Sequence, residues 1–414
     1  MKYEPVGNYV ELSQGLAVNK GTASLFSGYK SEDFPYPLLR IIDFENEEKK
    51  NYSKYVSKDV SPSMLISKET IVFTRVTCQC FRGFEGVLHN NLFTVKLKSK
   101  ELDEDYLYTI LQSGFVQKQA LNFAKSSVVP DLSHEMFKSI IIPIPSIETQ
   151  RKIASVYEKI AKKINILKKT NDELVQMTNF IYSYWFMQYD FPDENNNPYR
   201  TSGGKMKWDE ILKTEIPNDW TVLSVGEAAN FENGDRGKNY PSGDDFILDG
   251  IPFINGGMIS NNSIVGELKY ISEEKYNSLR AGKAEKNDIL LTLRGSIDKC
   301  VYSPFEKAAI ASALVIIRPN GLINNTYLYH YLLSDYYKCL CANYDNGSVQ
   351  ANLSVDIVKS FPIIIPSSNI LKKWDEIAGR MDATIEHNKI EIAELESYRD
   401  YILPLLMNGQ VKVK

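Results

Sequence analysis

The sequence predicts mixed α/β, sheet-rich globular domains in duplicate, joined by two long helices that pair as an antiparallel coiled coil. Three observations predict this fold: an internal repeat that aligns Ser127 with Ser348, two unusually long heptad patterns, and short β-branched or aromatic segments broken by Gly, Asn, Ser and Asp. The 414 residues suffice for two or three domains with separate cores. The repeat also predicts approximate two-fold symmetry within one chain.

The repeat is clearest where each domain ends. Residues 127–145 and 348–366 share nine of 19 positions without a gap, and the Tyr-Leu-Tyr triplet at 106–108 matches 327–329 at the same offset. A period this long indicates duplication of a whole domain and not a solenoid. The predicted segments are a first domain (1–145), a first long helix (146–190), a linker (191–215), a second domain (216–366), a second long helix (367–407) and a tail (408–414).

Within each domain, apolar runs bounded by turn-forming residues predict strands, and one longer segment predicts a helix. The expected strands include Thr70–Val76, Leu92–Leu97, Ile289–Leu293 and Leu314–Ile317, and the expected helices lie near Tyr106–Phe123 and Thr326–Ala342.

After each domain the hydrophobic period changes to seven residues. About 40 residues of helix extend roughly 60 Å, and apolar stripes of that length are most simply buried against each other. The alternative is that each stripe packs on its own domain. The heptad positions are Ile153, Ile160, Leu167, Leu174 and Ile181 in the first copy, and Trp374, Met381, Asn388, Leu395 and Ile402 in the second.

The net charge of −4 at first argues against a nucleic-acid partner. However, residues 367–407 hold eight acidic against five basic side chains, so basic loops elsewhere can still face DNA. We therefore expect weak DNA binding by the chain alone, completed by partner subunits. The odd number of cysteines, the absence of a signal sequence and the lack of a long apolar run predict a cytoplasmic protein with reduced thiols and no membrane partner.

No catalytic motif emerges from the sequence. It contains neither a GxxxxGK[ST] phosphate loop nor a strand-GxGxxG-helix unit, and its four histidines are scattered. Asn196–Tyr199 resembles the Asn-Pro-Pro-Tyr motif of amino-methyltransferases but lacks its second position and lies in a polar linker. Asp131 lacks the acidic-x-Lys spacing of metal-dependent nucleases. We expect no catalytic residue, metal or cofactor in this chain.

Duplicated domains on an antiparallel helix pair suit a DNA target with two separated half-sites. Arg can contact guanine, Asn and Gln can contact adenine, and Gly lets the backbone approach phosphate, so loops rich in these residues are candidate contacts. The candidates in the second domain are Arg236, Lys238, Asn239, Tyr240, Arg294, Ser296, Lys299, Ser348, Gln350 and Asn352. Those in the first domain are Asn19, Lys20, Thr22, Arg40, Arg75, Arg82, Lys125 and Ser127.

Three motifs and their order resemble the specificity subunit of type I restriction–modification enzymes. They are Pro-Ser-Ile-Glu-Thr-Gln at 145–150, the linker with Thr-Ser-Gly-Gly at 201–204, and Ile-Pro-Asn-Asp-Trp at 216–220. The resemblance covers essentially the whole chain. It implies two target-recognition domains for an asymmetric, bipartite double-stranded DNA sequence with a fixed spacer set by the helices.

The resemblance also implies partners. Two modification subunits would dock on the helices, bind S-adenosylmethionine and methylate adenine, and two restriction subunits that use ATP and Mg²⁺ could join. One departure is that residues 366–371 lack the Glu and Gln of 145–150. We therefore expect docking at the second helix to use other contacts.

Two other functions stay open at this point. The chain could be an unrecognised DNA nuclease or methyltransferase fused to a recognition module, or a coiled-coil adaptor that binds only proteins. Cleavage or methylation by the purified chain alone would favour the first, and failure to enrich any split DNA motif would favour the second.

Overall fold

The computed structural model describes residues 2–45, 52–124, 131–260, 262–295, 299–344 and 351–407. The chain divides into two compact units, one formed by Met1–Lys168 with Lys389–Lys414 and the other by Lys169–Asn388. The division passes through both long helices. Each unit therefore contains one globular domain and a segment of each long helix.

The first domain alternates short strands with short helices. Its elements are β1 (Lys2–Pro5), β2 (Val10–Gln14), β3 (Phe26–Ser27), β4 (Tyr36–Leu39), α1 (Ile41–Glu45), β5 (Tyr55–Val56), β6 (Leu65–Ile66), β7 (Ile71–Thr74), β8 (Cys80–Phe81), β9 (Gly86–Leu88), β10 (Leu92–Leu97), α2 (Glu104–Leu111), α3 (Gly114–Ala124), α4 (His134–Lys138) and β11 (Ile141–Ile144). The long helix α5 (Ile147–Tyr182) follows and ends in a π-helical turn at Ser183–Met187.

The rest of the chain forms a short hairpin, the second domain and the other long helix. Its elements are β12 (Met206–Asp209), β13 (Thr214–Pro217), β14 (Thr221–Ser224), α6 (Val225–Ala228), β15 (Ala229–Asn233), β16 (Phe246–Ile247), β17 (Ile251–Ile254), β18 (Ile259–Ser260), β19 (Ser263–Ile264), β20 (Lys269–Ile271), α7 (Glu273–Ser278), β21 (Lys283–Ala284), β22 (Ile289–Thr292), β23 (Arg294–Gly295), β24 (Cys300–Tyr302), β25 (Ala308–Ile310), β26 (Leu314–Pro319), α8 (Asn325–Leu333), α9 (Asp335–Asn343), β27 (Ala351–Asn352), α10 (Val355–Ser360), β28 (Pro362–Ile365) and α11 (Ser368–Met407).

The two domains share one strand topology. The first has a four-stranded sheet in the order β2-β10-β7-β8, a five-stranded sheet in the order β3-β5-β4-β9-β6, and the pair β1-β11. The second has β15-β26-β22-β24, β16-β20-β17-β25-β21 and β14-β28, with the corresponding strands in the same chain order. The predicted duplication of mixed α/β domains is therefore confirmed.

Buried contacts repeat along with the topology. The hydroxyl of Tyr106 donates a hydrogen bond to the carbonyl of Pro143 over 2.9 Å, and the hydroxyl of Tyr327 donates to the carbonyl of Ile364 over 2.8 Å. Each pair ties the first helix after the four-stranded sheet to the last strand of its domain. Since the repeat aligns Tyr106 with Tyr327 and Pro143 with Ile364, it preserves an interior hydrogen bond.

The single helix predicted near 106–123, and its counterpart near 326–342, are each wrong. Two helices stand in each place, α2 with α3 and α8 with α9. The break falls at a serine that caps the second helix: Ser113 Oγ accepts from the Val116 N–H at 3.3 Å, and Ser334 Oγ accepts from the Tyr337 N–H at 3.2 Å. A serine hydroxyl that binds backbone N–H groups favours a new helix start.

The long helices pair within each unit. In the first unit, Ile164 and Leu167 of α5 pack with Ile392 of α11, and Lys168 forms a 2.9 Å ion pair with Glu396. The apolar stripe of α5 is thus buried against the partner helix along this segment.

Pairing in the second unit runs antiparallel. Asn171 contacts Asn388, Thr178 contacts Met381, and Trp185 in the turn after α5 contacts Trp374. Each step of seven residues forward on the first helix is matched by seven residues back on the second, as antiparallel packing requires.

The start of α5 is held to the first domain by Gln150, whose side chain is fully buried. Its Oε1 accepts from the Asp103 N–H at 2.7 Å, and its Nε2 donates to the carbonyls of Glu101 and Pro145 at 2.9 Å. The equivalent position in α11 is Leu371, which is also buried. Gln150 therefore anchors a helix inside its own unit, and a buried leucine takes its place in the second copy.

The connection after α5 is ordered by its own side chains. Asp190 accepts from the Thr201 N–H at 2.8 Å and from the Thr201 hydroxyl at 2.7 Å, and the ring of Tyr199 stacks on Phe191 at 4.6 Å. A Cβ at Gly204 would lie 2.5 Å from the Tyr199 ring, which explains the second glycine of Thr-Ser-Gly-Gly. This packing agrees with the interpretation of Asn196–Tyr199 as part of a linker.

Among the described residues, no helix combines the length and the apolar character that crossing a bilayer requires.

Candidate nucleic-acid interface

A cleft of about 750 Å³ opens in the second domain, where several loops meet beside the four-stranded sheet. Its charged and polar lining comes from the end of β15, the segment before β21, β23 and helix α10. These lining residues include Asn233, Asp235, Arg236, Arg280, Arg294, Asp356 and Lys359.

Main-chain pairing brings two distant loops together at this cleft. Arg294 in β23 pairs with Asn352 in β27, and the Leu353 N–H donates to the carbonyl of Leu293 at 3.0 Å. The sequence predicted candidate contacts in both loops without linking them. The pairing holds Arg294 at the cleft with an exposed side chain.

The cleft carries more positive than negative side chains. Arg236, Arg280 and Arg294 are exposed, and the Lys359 ammonium lies 5.5 Å from the centre of the Phe231 ring. Of the two carboxylates in the lining, Asp356 is exposed whereas Asp235 is only 5% exposed. Four cations around a concave surface suit contact with phosphates and base edges.

The other candidates from the second domain occupy different places. Lys238 is exposed in the same loop as Arg236. Asn239 donates to the carbonyl of Ser278 at 3.1 Å, and the ring of Tyr240 packs edge-on against Phe253 at 5.6 Å, so both support the loop from within. Lys299 pairs through its backbone with Thr292, and the backbone of Asn352 forms part of β27. The remaining candidates lie outside the described residues: Ser296, Ser348 and Gln350.

In the first domain, Asn19 and Thr22 form a helix cap. The Asn19 Oδ1 accepts from the N–H groups of Gly21 and Thr22, and the Thr22 hydroxyl donates to the carbonyl of Ala17 at 2.7 Å. Lys20, between them, is exposed. The cap holds the loop in shape and leaves Lys20 as its free cationic side chain.

The three arginines of the first domain contact acidic neighbours. Arg75 Nη2 lies 2.6 Å from Asp131, and both terminal nitrogens of Arg82 lie 2.8 Å from one oxygen of Asp105. Arg40 lies 3.5 Å from Asp43. A DNA contact by any of them would have to share or replace these ion pairs. Lys125 and Ser127 lie outside the described residues.

Sequence reasoning missed Arg280 and Lys359. Lys359 had a usable signal, because Lys138 and Lys359 are identical at the repeat offset just after the candidate loop. Arg280 had none, since it lies 44 residues from Arg236 in the sequence and meets it only through folding.

Chemistry other than DNA binding would need grouped metal ligands, paired carboxylates or a reactive thiol. Among the described residues, no three histidine, cysteine or acidic side chains are grouped to hold a metal ion. All five cysteines are free thiols, and burial raises the pKa of Cys78 to about 11, which disfavours the reactive thiolate. Asp131 forms an ion pair with Arg75 over 2.6 Å.

Comparison with known proteins identifies a domain that occurs twice. Residues 10–176 and 217–397 match the family described as type I restriction modification DNA specificity domain. The type I restriction enzyme MjaIX specificity subunit of Methanocaldococcus jannaschii is 24% identical over 319 residues, which cover 75% of this chain and 69% of that protein. The EcoBI specificity subunit of Escherichia coli is 21% identical over 407 residues, covering 95% and 84%.

A solved structure shares the fold. The crystal structure of a type I restriction–modification system S subunit from M. genitalium aligns with a TM-score of 0.55 at 17% identity, covering 98% of this chain and 95% of that one.

Proposed function

The chain belongs to the family of type I restriction modification DNA specificity domains, and on this basis we propose that its two domains each recognise one half of a bipartite, asymmetric DNA target. As a specificity subunit it is a non-catalytic component of a type I restriction–modification system. The observation that carries the proposal is the duplication of one domain topology with different residues at the candidate DNA-contacting loops. Different loops on one scaffold imply different half-sites.

In this proposal the long helices set the spacer between the half-sites. The antiparallel contacts within the second unit and the apolar stripe within the first support a coiled coil whose length is fixed by its residues. Internal two-fold symmetry would follow if the two copies use their helices in the same way.

The helices also carry a repeated exposed surface. Met177 and Phe180 of α5 are 53% and 70% exposed, and the residues that the repeat aligns with them, Tyr398 and Tyr401 of α11, are 50% and 69% exposed. Large apolar side chains exposed at matching places support two equivalent docking sites for two modification subunits. Restriction subunits would join the same assembly, and S-adenosylmethionine, ATP and Mg²⁺ would be bound by those partners in the cytoplasm.

Selection of DNA tests recognition. The chain would be co-purified with its modification subunit and used to select duplexes from a random library. We expect one split motif with a fixed spacer. Arg294→Ala should weaken binding to the second half-site by about 1–3 kcal/mol and leave the preference for the first half-site unchanged. A contiguous motif, or no motif at all, would contradict the proposal.

Helix length tests the spacer. Seven residues added to each long helix at repeat-matched positions add about 10 Å of helix, equal to about three base pairs of DNA. The selected spacer should lengthen by about that much with both half-sites unchanged. A changed half-site with an unchanged spacer would contradict this role of the helices.

A further inference from the structure

The segment before β21 meets the loop after β15 through two glycines. A Cβ on Gly282 would lie 2.7 Å from the Cα of Gly234, and Gly282 has a φ of +79°, which side-chain-bearing residues rarely adopt. A Cβ on Gly234 would lie 2.5 Å from the carbonyl oxygen of Ala311. Only glycine at both positions allows this backbone contact, which places Arg280 beside Arg236.

Two carboxylates from the β15 side then fasten the segment. Glu232 Oε1 accepts from the N–H groups of Gly282 and Lys283 at 2.7 and 3.1 Å. Asp235 Oδ2 accepts from the Arg280 N–H at 2.8 Å, and its Oδ1 accepts from the Arg236 N–H at 2.6 Å. Both oxygens of Asp235 are therefore used to hold the two arginines next to each other.

The Arg280 guanidinium joins the same network at one of its nitrogens. Nη2 donates to Asp235 Oδ1 at 3.3 Å and to the carbonyl of Arg236 at 3.0 Å. The side chain is 71% exposed and lines the cleft. Within the part of the chain that the structure describes, Nε and Nη1 form no hydrogen bond, so donors remain for a ligand in the cleft.

We propose that Arg280 binds a backbone phosphate of the DNA at the second half-site, and that Asp235 is the positioning residue that holds Arg280 and Arg236 in place. The inference rests on the proposed DNA-recognition function and deepens it. A phosphate fits better than a base, because Arg280 is tied to the framework through both its backbone and its side chain. Such fixed contacts position DNA, whereas base contacts specify it.

The charge on Asp235 is compatible with this role. The Arg280 N–H, followed by the Arg236 N–H and the Arg280 guanidinium, outweighs burial and holds the pKa of Asp235 below its usual value. Asp235 is therefore an anion at neutral pH, close to where DNA phosphates would bind. A carboxylate in that place repels DNA directly, so it favours binding only through the geometry it imposes.

The charge and the positioning role of Asp235 predict opposite changes in DNA affinity, so the direction of the change tests the proposal. Affinity for the selected duplex would be measured by fluorescence anisotropy over a salt series, with the complex of the chain and its modification subunit. Asp235→Asn removes a negative charge. If Asp235 acted through its charge alone, this variant would bind DNA more tightly. We expect it to weaken binding roughly tenfold, because an amide offers one acceptor oxygen where the carboxylate uses two. Tighter or unchanged binding would overturn the positioning role.

Arg280→Gln tests the phosphate contact. We expect roughly tenfold weaker binding to every duplex that carries the motif, and partial recovery of the affinity in Arg280→Lys. The slope of log affinity against log salt concentration should fall by about one. Lys286→Ala is the matched control, since Lys286 is a cation of the same domain that pairs with Glu306 outside the cleft, and its salt dependence should not change. Relaxed preference at a single base pair would identify a base contact and overturn the proposal, as would unchanged affinity.

Failure of the broader function is distinguishable. If the wild-type complex selects no split motif, the proposed function fails. If the wild type selects one and Arg280→Gln behaves as the wild type, only this inference fails. Melting temperatures of all variants would show that the second unit remains folded.

Discussion

The two domains are alike in their interiors and different at their candidate DNA-contacting loops. Both keep the same strand order and the same buried tyrosine hydrogen bond, from Tyr106 in one and Tyr327 in the other. At the loops, the second domain presents Arg236, Arg280 and Arg294 to an open cleft, whereas Arg75 of the first domain is ion-paired with Asp131. A change in the interior leaves a cavity or an unpaired polar group, but a change at an exposed loop costs little stability. The exposed loops can therefore diverge between the two copies while the strand order and the buried contacts stay the same.

The largest effect is expected where each long helix docks on its domain. Trp374 is fully buried among Tyr182, Phe186 and His330, and its repeat counterpart Ile153 is 1% exposed. Trp374→Ala should lower the free energy of unfolding by about 3–5 kcal/mol and Ile153→Ala by about 2–5 kcal/mol, because each leaves a cavity. Urea unfolding combined with hydrogen exchange would measure each unit separately.

Tyr401→Ala, at a side chain that is 69% exposed, serves as the control and should change stability by less than about 0.5 kcal/mol. Equal effects of Tyr401→Ala and Trp374→Ala would contradict the conclusion that Trp374 fixes the long helix to its domain.

A smaller effect is expected where the two copies differ at the helix start. Gln150→Leu should destabilise the first unit by about 1–3 kcal/mol, because it leaves the Asp103 N–H and two carbonyls without their partner. The reciprocal change, Leu371→Gln, should also destabilise the second unit, since it buries an amide where a leucine packs. Thermal unfolding of both variants checks this, and stabilisation by either one would show that the two starts are interchangeable.

The shared tyrosine hydrogen bonds should contribute equally. Tyr106→Phe and Tyr327→Phe each remove one buried hydroxyl that donates to a carbonyl, so each should cost about 1 kcal/mol. Chemical denaturation of the two variants measures the comparison directly. A difference of more than about 1 kcal/mol would mean that the repeat preserves the bond but not its surroundings.

The smallest effect is an acid sensitivity of the second domain. Burial alone would raise the pKa of Glu232, but Arg318 and the N–H groups of Lys283 and Gly282 outweigh it, and the pKa of Asp235 is also lowered, first by the Arg280 N–H. A lowered pKa in the folded state gives stability that is present above the unfolded value, near 3.8 for Asp, and is lost as pH falls through the folded value.

Unfolding measured from pH 6 to pH 3 should show this loss below about pH 4 in the wild type and less of it in Asp235→Asn. If both proteins lose stability in parallel, Asp235 does not contribute to the acid sensitivity.

Some features could be predicted from local pattern. The strand at Leu92–Leu97 and the inner strands β7 and β22 stand where apolar runs predicted them. All four residues of β7 and of β22 are buried, as an apolar run covered on both faces requires. The break between α2 and α3 has a signal in the sequence: Ser113 and Ser334 match at the repeat offset, and each is a helix cap.

Candidate contacts were harder to predict, because a loop's composition does not reveal what its side chains touch. Asn19 and Tyr240 have the residue types of DNA contacts, yet one caps a helix and the other packs on Phe253. Arg82 has the charge, but Asp105 lies 2.8 Å away. Local hydrogen bonds and ion pairs compete with a ligand for the same donors, and that competition depends on neighbours distant in sequence.

The duplication, the sheet-rich domain in each copy and the long helix after each domain follow from the residue order alone, because periodicity and identity at a fixed offset can be read directly from the sequence. Which side chains share the cleft depends on how the chain folds. Arg236 and Arg280 meet because Gly234 and Gly282 lack side chains and because Asp235 binds the N–H groups of both arginines. That arrangement depends on backbone contact between two segments that lie far apart in the sequence, which no pattern within either segment encodes.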